Sequence, residues 1–191
     1  MSLTEKLTRV AEQQPQVHEA GKVAERTAFW EALQEGGTRR NYMYGFRGSN
    51  WTDAHYHPLY PLVGDMQYVF ASSGITDTKV PIVVEGSLSN GFNAAGVKMV
   101  RSLDLTNCTS VTRAFVGASN LQSIGFVGLI KLTGLDLSNC IKLDKASLVA
   151  LINCLEKKTD GGTWEVTLGS NKNKLTAQEL AVATNKGWTV K

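Results

Sequence analysis

The sequence predicts an α/β protein: a short, β-solenoid-like leucine-rich repeat with a long N-terminal α-helical segment before it and a C-terminal strand–helix–strand cap after it. Three observations carry this reading. The phrase Val100-Arg-Ser-Leu103-Asp-Leu105-Thr-Asn107-Cys108 returns as Leu132-Thr-Gly-Leu135-Asp-Leu137-Ser-Asn139-Cys140. The chain ahead of Gly36-Gly37 reads as helix. The chain after Asp160 alternates, opens a capped helix, and ends on Trp188-Thr-Val190.

The repeat comes first. Leu-x-x-Leu-x-Leu puts apolar side chains on one face of a short strand, because successive strand residues point to opposite sides. A buried Asn in the following Asn-Cys would bond neighbouring backbone groups, and the thiol behaves as a small hydrophobe. Leu121-Gln-Ser-Ile124-Gly-Phe126 is a degenerate copy, and Ile82-Val83-Val84 is an earlier one. Strand positions 82/84, 103/105 and 124/126 recur at an interval of 21 residues, and 135/137 follows after 11. A full interval with a half interval inside it suggests two core-facing segments per coil. Such a unit buries its apolar face only against stacked neighbours.

Residues 2–35 read as helix. Ser2-Leu-Thr-Glu5 fits a capping box, and Leu3, Leu7, Val10, Val17, Ala24 and Ala28 lie on an approximate heptad seam. Pro15 should kink the helix, and Gly36-Gly37 stops it. The seam packs either on its own protein or on copies of itself or a partner, as a docking arm. Residues 38–64 are rich in aromatics and punctuated by Gly45, Gly48, Pro58 and Pro61. They form either a connector folded back on the protein or an exposed binding surface. Asp53, His55 and His57 alternate, so a strand would set all three on one side, as zinc or manganese would require. A further ligand is not visible nearby and Pro58 breaks the segment, so no metal and no cofactor is expected.

Tyr68-Val69-Phe70 and Val80-Pro-Ile82-Val83-Val84 are short strand candidates, with Ser72-Ser-Gly74 as a turn. Residues 144–157 read as helix, with Asp144 as N-cap and Leu148, Leu151, Ile152 and Leu155 as the apolar face. Thr163 to Leu168 alternates as a strand. Thr176-Ala-Gln-Glu179 is a capping box for a helix to about Asn185, and Trp188-Thr-Val190 is a last strand. The expected organisation is an arm over residues 1–36, a connector over 37–64, the repeats over 65–157 and the cap over 158–191. The cap would cover an edge that otherwise invites pairing with other chains.

Composition narrows the function. The net charge of +3 over 191 residues gives no electrostatic case for nucleic acid or an anionic membrane. No apolar run approaches the roughly 20 residues of a membrane span, and the first residues lack a secretory apolar core. The odd cysteine count, with Cys108 and Cys140 at repeat core positions, favours reduced thiols over disulfides. No nucleophile–base pair, phosphate loop or His-x-x-x-His helix is present, so no catalytic residue is assigned and an enzyme is not expected. The remaining enzymatic alternative is a metal-dependent hydrolase at Asp53, His55 and His57.

The strand positions between the leucines should face outward: Ser102, Asp104, Thr106, Ser123, Gly125, Gly134, Asp136, Ser138, Glu165 and Thr167. They are small or acidic. They suit polar recognition of a glycan or protein, or else a merely solvated face.

Ala114-Phe115-Val-Gly117-Ala-Ser-Asn120-Leu121-Gln-Ser-Ile124 resembles the Ala-Phe-x-Gly-Cys-x-x-Leu-x-x-Ile phrase of BspA-type leucine-rich repeats, with Ala118 in place of the usual Cys. Leu135-Asp-Leu-Ser-Asn-Cys140 is similar to the same family. Val17 to Trp30, Gly37-Thr-Arg-Arg-Asn-Tyr42, Phe46, Trp51-Thr52 and Leu175 to Trp188 resemble proteins of phage and prophage tail modules of gut bacteria. The resemblance implies a non-enzymatic tail fibre, tip or baseplate protein assembled in the bacterial cytoplasm and carried on the virion. It implies a homo-oligomer, as a trimer, with tail proteins, host-surface proteins or glycans as partners. The alternative is a bacterial leucine-rich-repeat interaction module unrelated to virions.

Overall fold

The computed structural model describes residues 40–42, 45–48, 52–54, 56, 58 and 60–191. The chain divides into Met1–Thr38 and Arg39–Lys191, and every described residue belongs to the second unit. The expected helix over 2–35 and its seam of Leu3, Leu7, Val10, Val17, Ala24 and Ala28 lie outside the described residues.

The described part is a mixed α/β protein built on two parallel sheets. The first holds β1 (Arg40–Asn41), β2 (Leu62–Asp65), β3 (Ile82–Ser87), β4 (Met99–Ser110) and β5 (Ser123–Val127), side by side in sequence order. The second holds β6 (Leu135–Asp136), β7 (Trp164–Thr167) and β8 (Trp188–Val190). Helix α1 (Lys145–Cys154) lies in the chain between β6 and β7, and α2 (Ala177–Asn185) between β7 and β8.

Parallel neighbours need a long crossover, which is most often helical. From β2 to β5 it is instead a train of tight turns. Val69, Gly91 and Ala114 donate to the carbonyls of Met66, Leu88 and Val111, three residues back. A second turn follows at Tyr68–Ala71, Asn90–Asn93 and Arg113–Val116. Equivalent turns also bond to one another. Phe70 N–H donates to Gly91 O and Phe92 N–H to Ala114 O, each at 2.8 Å. Strands and turns are thus both joined sideways to the chain some 22 residues further on.

This explains a departure from the sequence reading. Tyr68-Val69-Phe70 reads as a strand but is a pair of turns, with Tyr68 at φ 55° and Ser72 at φ 55°. The equivalent residues Asn90 and Arg113 have φ 56°. The left-handed backbone at these positions is incompatible with extension. It costs roughly 1–2 kcal/mol per non-glycine residue, and the apolar side chains that the turns direct inward offset it.

Those side chains form two columns. On the turn side Phe46, Phe70, Phe92 and Phe115 stack at centroid separations of 5.5, 5.3 and 5.1 Å, and Tyr56 meets Phe46 and Phe70 edge-on. On the strand side Leu62, Ile82, Leu103 and Phe126 are opposed in register. All of them are buried.

The register corrects the expected 21-residue interval. Ile82 pairs with Leu103 as expected, but Leu103 pairs with Phe126 and Val100 with Ile124. Between these two pairs the offset falls by one residue, and a bulge at Arg101-Ser102 takes up that difference. It presses the Arg101 carbonyl onto β5 at Gly125, where an added Cβ would lie 2.4 Å from that oxygen.

The second phrase copy keeps only Leu135–Asp136 as strand, with Leu135 opposite Val166. Cys108 and Cys140 are buried as expected, but Asn107 and Asn139 are exposed. Asn107 is held outward in β4 opposite Glu85. The role expected of a buried Asn falls to Asn171, which is fully buried and donates from Nδ2 to Leu137 O and Cys140 O, both at 3.1 Å.

Asp144 caps α1, accepting from Ser147 N–H at 2.7 Å, and the buried Ser147 hydroxyl accepts from Ile124 N–H of β5 at 2.8 Å. The helix ends at Cys154 rather than at 157. The Lys186 ammonium takes the Ile152 and Asn153 carbonyls at 3.1 and 2.7 Å, and Leu155 turns extended to bridge Ile130. The Thr176–Glu179 capping box on α2 is formed as expected.

Three substitutions test this architecture by chemical denaturation. Phe92→Ala should cost about 3–5 kcal/mol, because the cavity opens between two stacked rings. Gly125→Ala should cost about 1–3 kcal/mol through overpacking against backbone. Arg113→Gly should stabilise by about 0.5–1 kcal/mol, since it relieves the left-handed strain but loosens the unfolded chain.

Candidate functional site

The outward strand positions divide between the two sheets. Ser102, Asp104, Thr106, Ser123 and Gly125 lie on the first sheet; Asp136, Glu165 and Thr167 lie on the second, with Gly134 just before β6 and Ser138 just after it. Asp136 is opposed to Thr167 in register.

Most of their polar groups are engaged locally. Asp104 Oδ1 accepts from Thr106 N–H, and Asp136 Oδ1 from Ser138 N–H, each at 2.8 Å. Thr106 Oγ1 accepts from Leu129 N–H at 3.0 Å. The Glu165 carboxylate pairs with Lys191 at 2.7 Å. Ser102 sits in the bulge, and Gly125 is covered by the Arg101 carbonyl. Short polar side chains bond to the backbone two residues on, which is what Asp and Ser favour at strand ends.

Among the described residues a concave feature lies where β4 and β5 part. Pairing stops at Asp104 opposite Val127, although β4 continues to Ser110. The chain after β5 turns at Gly128, whose added Cβ would strike Thr106 Oγ1 and Asp104 Oδ1. Ile130 then bridges to Leu155 instead of to β4. The resulting groove has a volume of about 420 Å³, with Thr109, Ser110, Val111 and Thr112 on one wall and Lys131, Leu132, Thr133 and Gly134 on the other, beside Trp164.

Both walls are braced from behind. Ser89 Oγ bonds Ser87 and Ser110 hydroxyls at 2.8 and 2.9 Å, and Ser110 bonds Thr112 at 3.2 Å, giving a ladder of hydroxyls. Thr133 Oγ1 donates to Glu165 O and accepts from Glu165 N–H. Lys158 lies 3.6 Å from the Trp164 ring centroid and 5.8 Å from that of Trp188, donates to Lys131 O at 3.1 Å and pairs with Glu156 at 2.8 Å. Trp164 Nε1 donates to Asp160 at 2.9 Å.

Of the outward residues anticipated from sequence, Gly134 alone lines this groove. Thr109, Ser110, Thr112, Lys131 and Trp164 were not anticipated. The signal was the shortened interval of 11 residues before Leu135, which marks the point where the stack stops repeating.

The Asp53 side chain is committed to Thr76, accepting from its N–H at 2.8 Å and from its hydroxyl. His55 and His57 lie outside the described residues. Among the described residues no group of His, Cys, Asp or Glu is placed to hold a metal ion, and no helix is long and apolar enough to cross a membrane. All three cysteines are free thiols. Burial, with Asp136 adding, pushes Cys140 up to about 12, and burial also raises Cys108. Cys154 is raised by burial and eased by Lys186.

Comparison with protein-family models, curated proteins and solved structures gives no match.

Two measurements follow from these groups. Burial works to raise the carboxyls of Asp53 and Asp77, but the Thr76 bonds to Asp53 and the Arg101 fork on Asp77 outweigh it and hold both below 3.8. A depressed carboxylate stabilises the fold fully above its unfolded value, and that contribution is lost as pH falls through the folded value. The melting temperature should therefore stay level down to about pH 4 and drop below it, and Asp53→Asn should flatten that acid limb. In native protein an alkylating reagent should modify Cys154 well before Cys108 and Cys140, and denaturant should abolish the difference.

Proposed function

We propose that this chain is a non-enzymatic adhesion or assembly protein of a phage tail, and that its parallel stacks form a short leucine-rich-repeat solenoid presenting a polar surface to a host or tail partner. The observation that carries this reading is the continuous lateral bonding of both strands and turns at an interval of some 22 residues. A chain bonded this way is a scaffold whose layers contact only their neighbours. Its phenylalanine column falls at the Ala114-Phe115 phrase that resembles BspA-type repeats, and the other resemblances supply the tail setting.

The non-enzymatic part rests on the site chemistry. Asp104 and Asp136 bond to their own backbone, burial raises the Cys108 and Cys140 thiols, and Asp53 is bonded to Thr76. These are roles in holding a surface rather than in proton transfer or nucleophilic attack. The seam of Leu3, Leu7, Val10, Val17, Ala24 and Ala28 is the proposed oligomerisation or docking arm, with a trimer as the expected assembly.

Two experiments test this. Virions purified after induction of a carrying lysogen should contain the chain by mass spectrometry; its absence from particles would overturn the tail assignment in favour of a bacterial interaction module. Size-exclusion chromatography with light scattering should show an oligomer for the full chain and a monomer for a chain beginning near Gly37. A monomeric full chain removes the self-pairing role of the arm.

A further inference from the structure

We propose that the groove between Thr109–Thr112 and Lys131–Gly134 is a glycan-binding subsite, taking two or so sugar residues of a hydroxyl-rich oligosaccharide with Lys131 placed to meet a sugar carboxylate. This deepens the adhesion reading and rests on it.

The argument starts from the lining. Four hydroxyl-bearing residues, Thr109, Ser110, Thr112 and Thr133, stand on the two walls. A hydroxyl gives one donor and two acceptor positions, so a row of them matches a polyol in either sense. The Ser89–Ser110–Thr112 ladder fixes one wall, and the two hydrogen bonds between the Thr133 hydroxyl and the Glu165 backbone fix the other. Thr109, by contrast, is exposed, and its hydroxyl makes no hydrogen bond among the described residues. Leu132 and Trp164, both half-buried, add apolar surface against which the C–H face of a sugar packs. About 420 Å³ lies within the roughly 300–1,000 Å³ of small-molecule sites.

Charge selects further. Among the described residues Lys131 is the one ionisable residue lining the groove, and no carboxylate lines it. Lys131 is exposed, and its ammonium enters no ion pair among the described residues. Its carbonyl is held by Lys158, so the backbone position is fixed while the ammonium stays available to solvent.

An extended peptide is the competing occupant, because β4 runs past its last pair with β5. Strand addition needs a run of extended main chain. Here the wall straddles the end of β4 at Ser110, and at Val111 the chain enters the turn closed by Ala114 N–H on Val111 O. Within the groove only Thr109 and Ser110 are extended, too short a run for strand pairing there, and the lining lacks a pocket for an apolar anchor.

The test uses the full chain and a panel of hexose oligosaccharides of two to four residues, each in neutral and uronic-acid forms. Binding is followed by titration calorimetry and by amide and indole NMR shifts. The expected result is binding that shifts Thr109, Thr112, Lys131 and Gly134 amides and the Trp164 indole, tighter for the uronic-acid forms at low salt. Thr109→Trp, which fills the groove from an exposed position, should weaken binding by about tenfold or more with an unchanged melting temperature. Lys131→Ala should abolish the preference for the acidic forms alone. Shifts elsewhere, unaltered binding by Thr109→Trp, or no binding across the panel overturns the subsite. So does a set of extended peptides that shifts the groove residues when no sugar does. Adsorption of labelled protein to intact host cells separates the two levels. Adsorption equal for wild type and Thr109→Trp leaves the adhesion reading standing without this groove, and loss of adsorption to every cell tested removes both.

Discussion

The lateral backbone bond between successive layers is the constraint that the first sheet obeys. When turns as well as strands bond to their counterparts, the layers must share one backbone path. Tyr68, Asn90 and Arg113 therefore take the same left-handed conformation despite unrelated side chains. Only Asn among them tolerates it readily. The path is held because it delivers Phe70, Phe92 and Phe115 to the same place, where nearly parallel rings stack at little more than 5 Å. Aromatic stacking of this kind adds about 0.5–1.5 kcal/mol per pair beyond burial, which is on the scale of the strain it has to offset.

The same rule explains where repetition stops. The Arg101-Ser102 bulge puts β4 out of step with β5, and only glycine at 125 tolerates the carbonyl pressed against it. Beyond Val127 the chain leaves β4 and bridges to Leu155, and a second sheet begins. Its strands still pair laterally, and side chains supplement that pairing around them. Ammonium groups and one amide take the carbonyls that a repeating layer would have taken: Lys186 those ending α1, Lys174 those of Ile141 and Leu143, and Asn171 those of Leu137 and Cys140. A buried carbonyl needs a donor, and where no neighbouring layer supplies one a long side chain must.

Much of this was legible in the sequence. The capping signals of α1 and α2 name their own first residues, because Asp144 and Thr176 bond locally. The leucine alternation placed β3, β4 and β7 because period two is a strong signal. The turn train was not legible. Tyr68-Val69-Phe70 is rich in strand-favouring residues, and its conformation is imposed by Ser89 and Gly91 bonding to it from the next layer. Asn171 lies far along the chain from the carbonyls it satisfies and carries no periodic mark, whereas Asn107 carried the mark and points to solvent. The groove escaped for a related reason: its walls come from the end of one phrase copy and the start of the next, and each wall alone is an unremarkable run of Thr, Ser and Lys.

A repeating face and its interruption differ in what they offer a partner. On the strand face Asp104 stands between Val83 and Val127 of the neighbouring strands, and Asp104 and Asp136 each turn an oxygen back onto their own backbone. To bind at Asp104 or Asp136, a ligand must displace an intramolecular bond for each one it makes there, which leaves little net gain. At the interruption the groove is already open, and although Ser110, Thr112 and Thr133 are bonded within the chain, the Thr109 hydroxyl and the Lys131 ammonium make no such bond among the described residues. Preorganised polar groups recover more of their hydrogen-bond energy on binding than groups that must first be released. The departure from regularity that ends the first sheet is therefore also the place where binding costs the scaffold least.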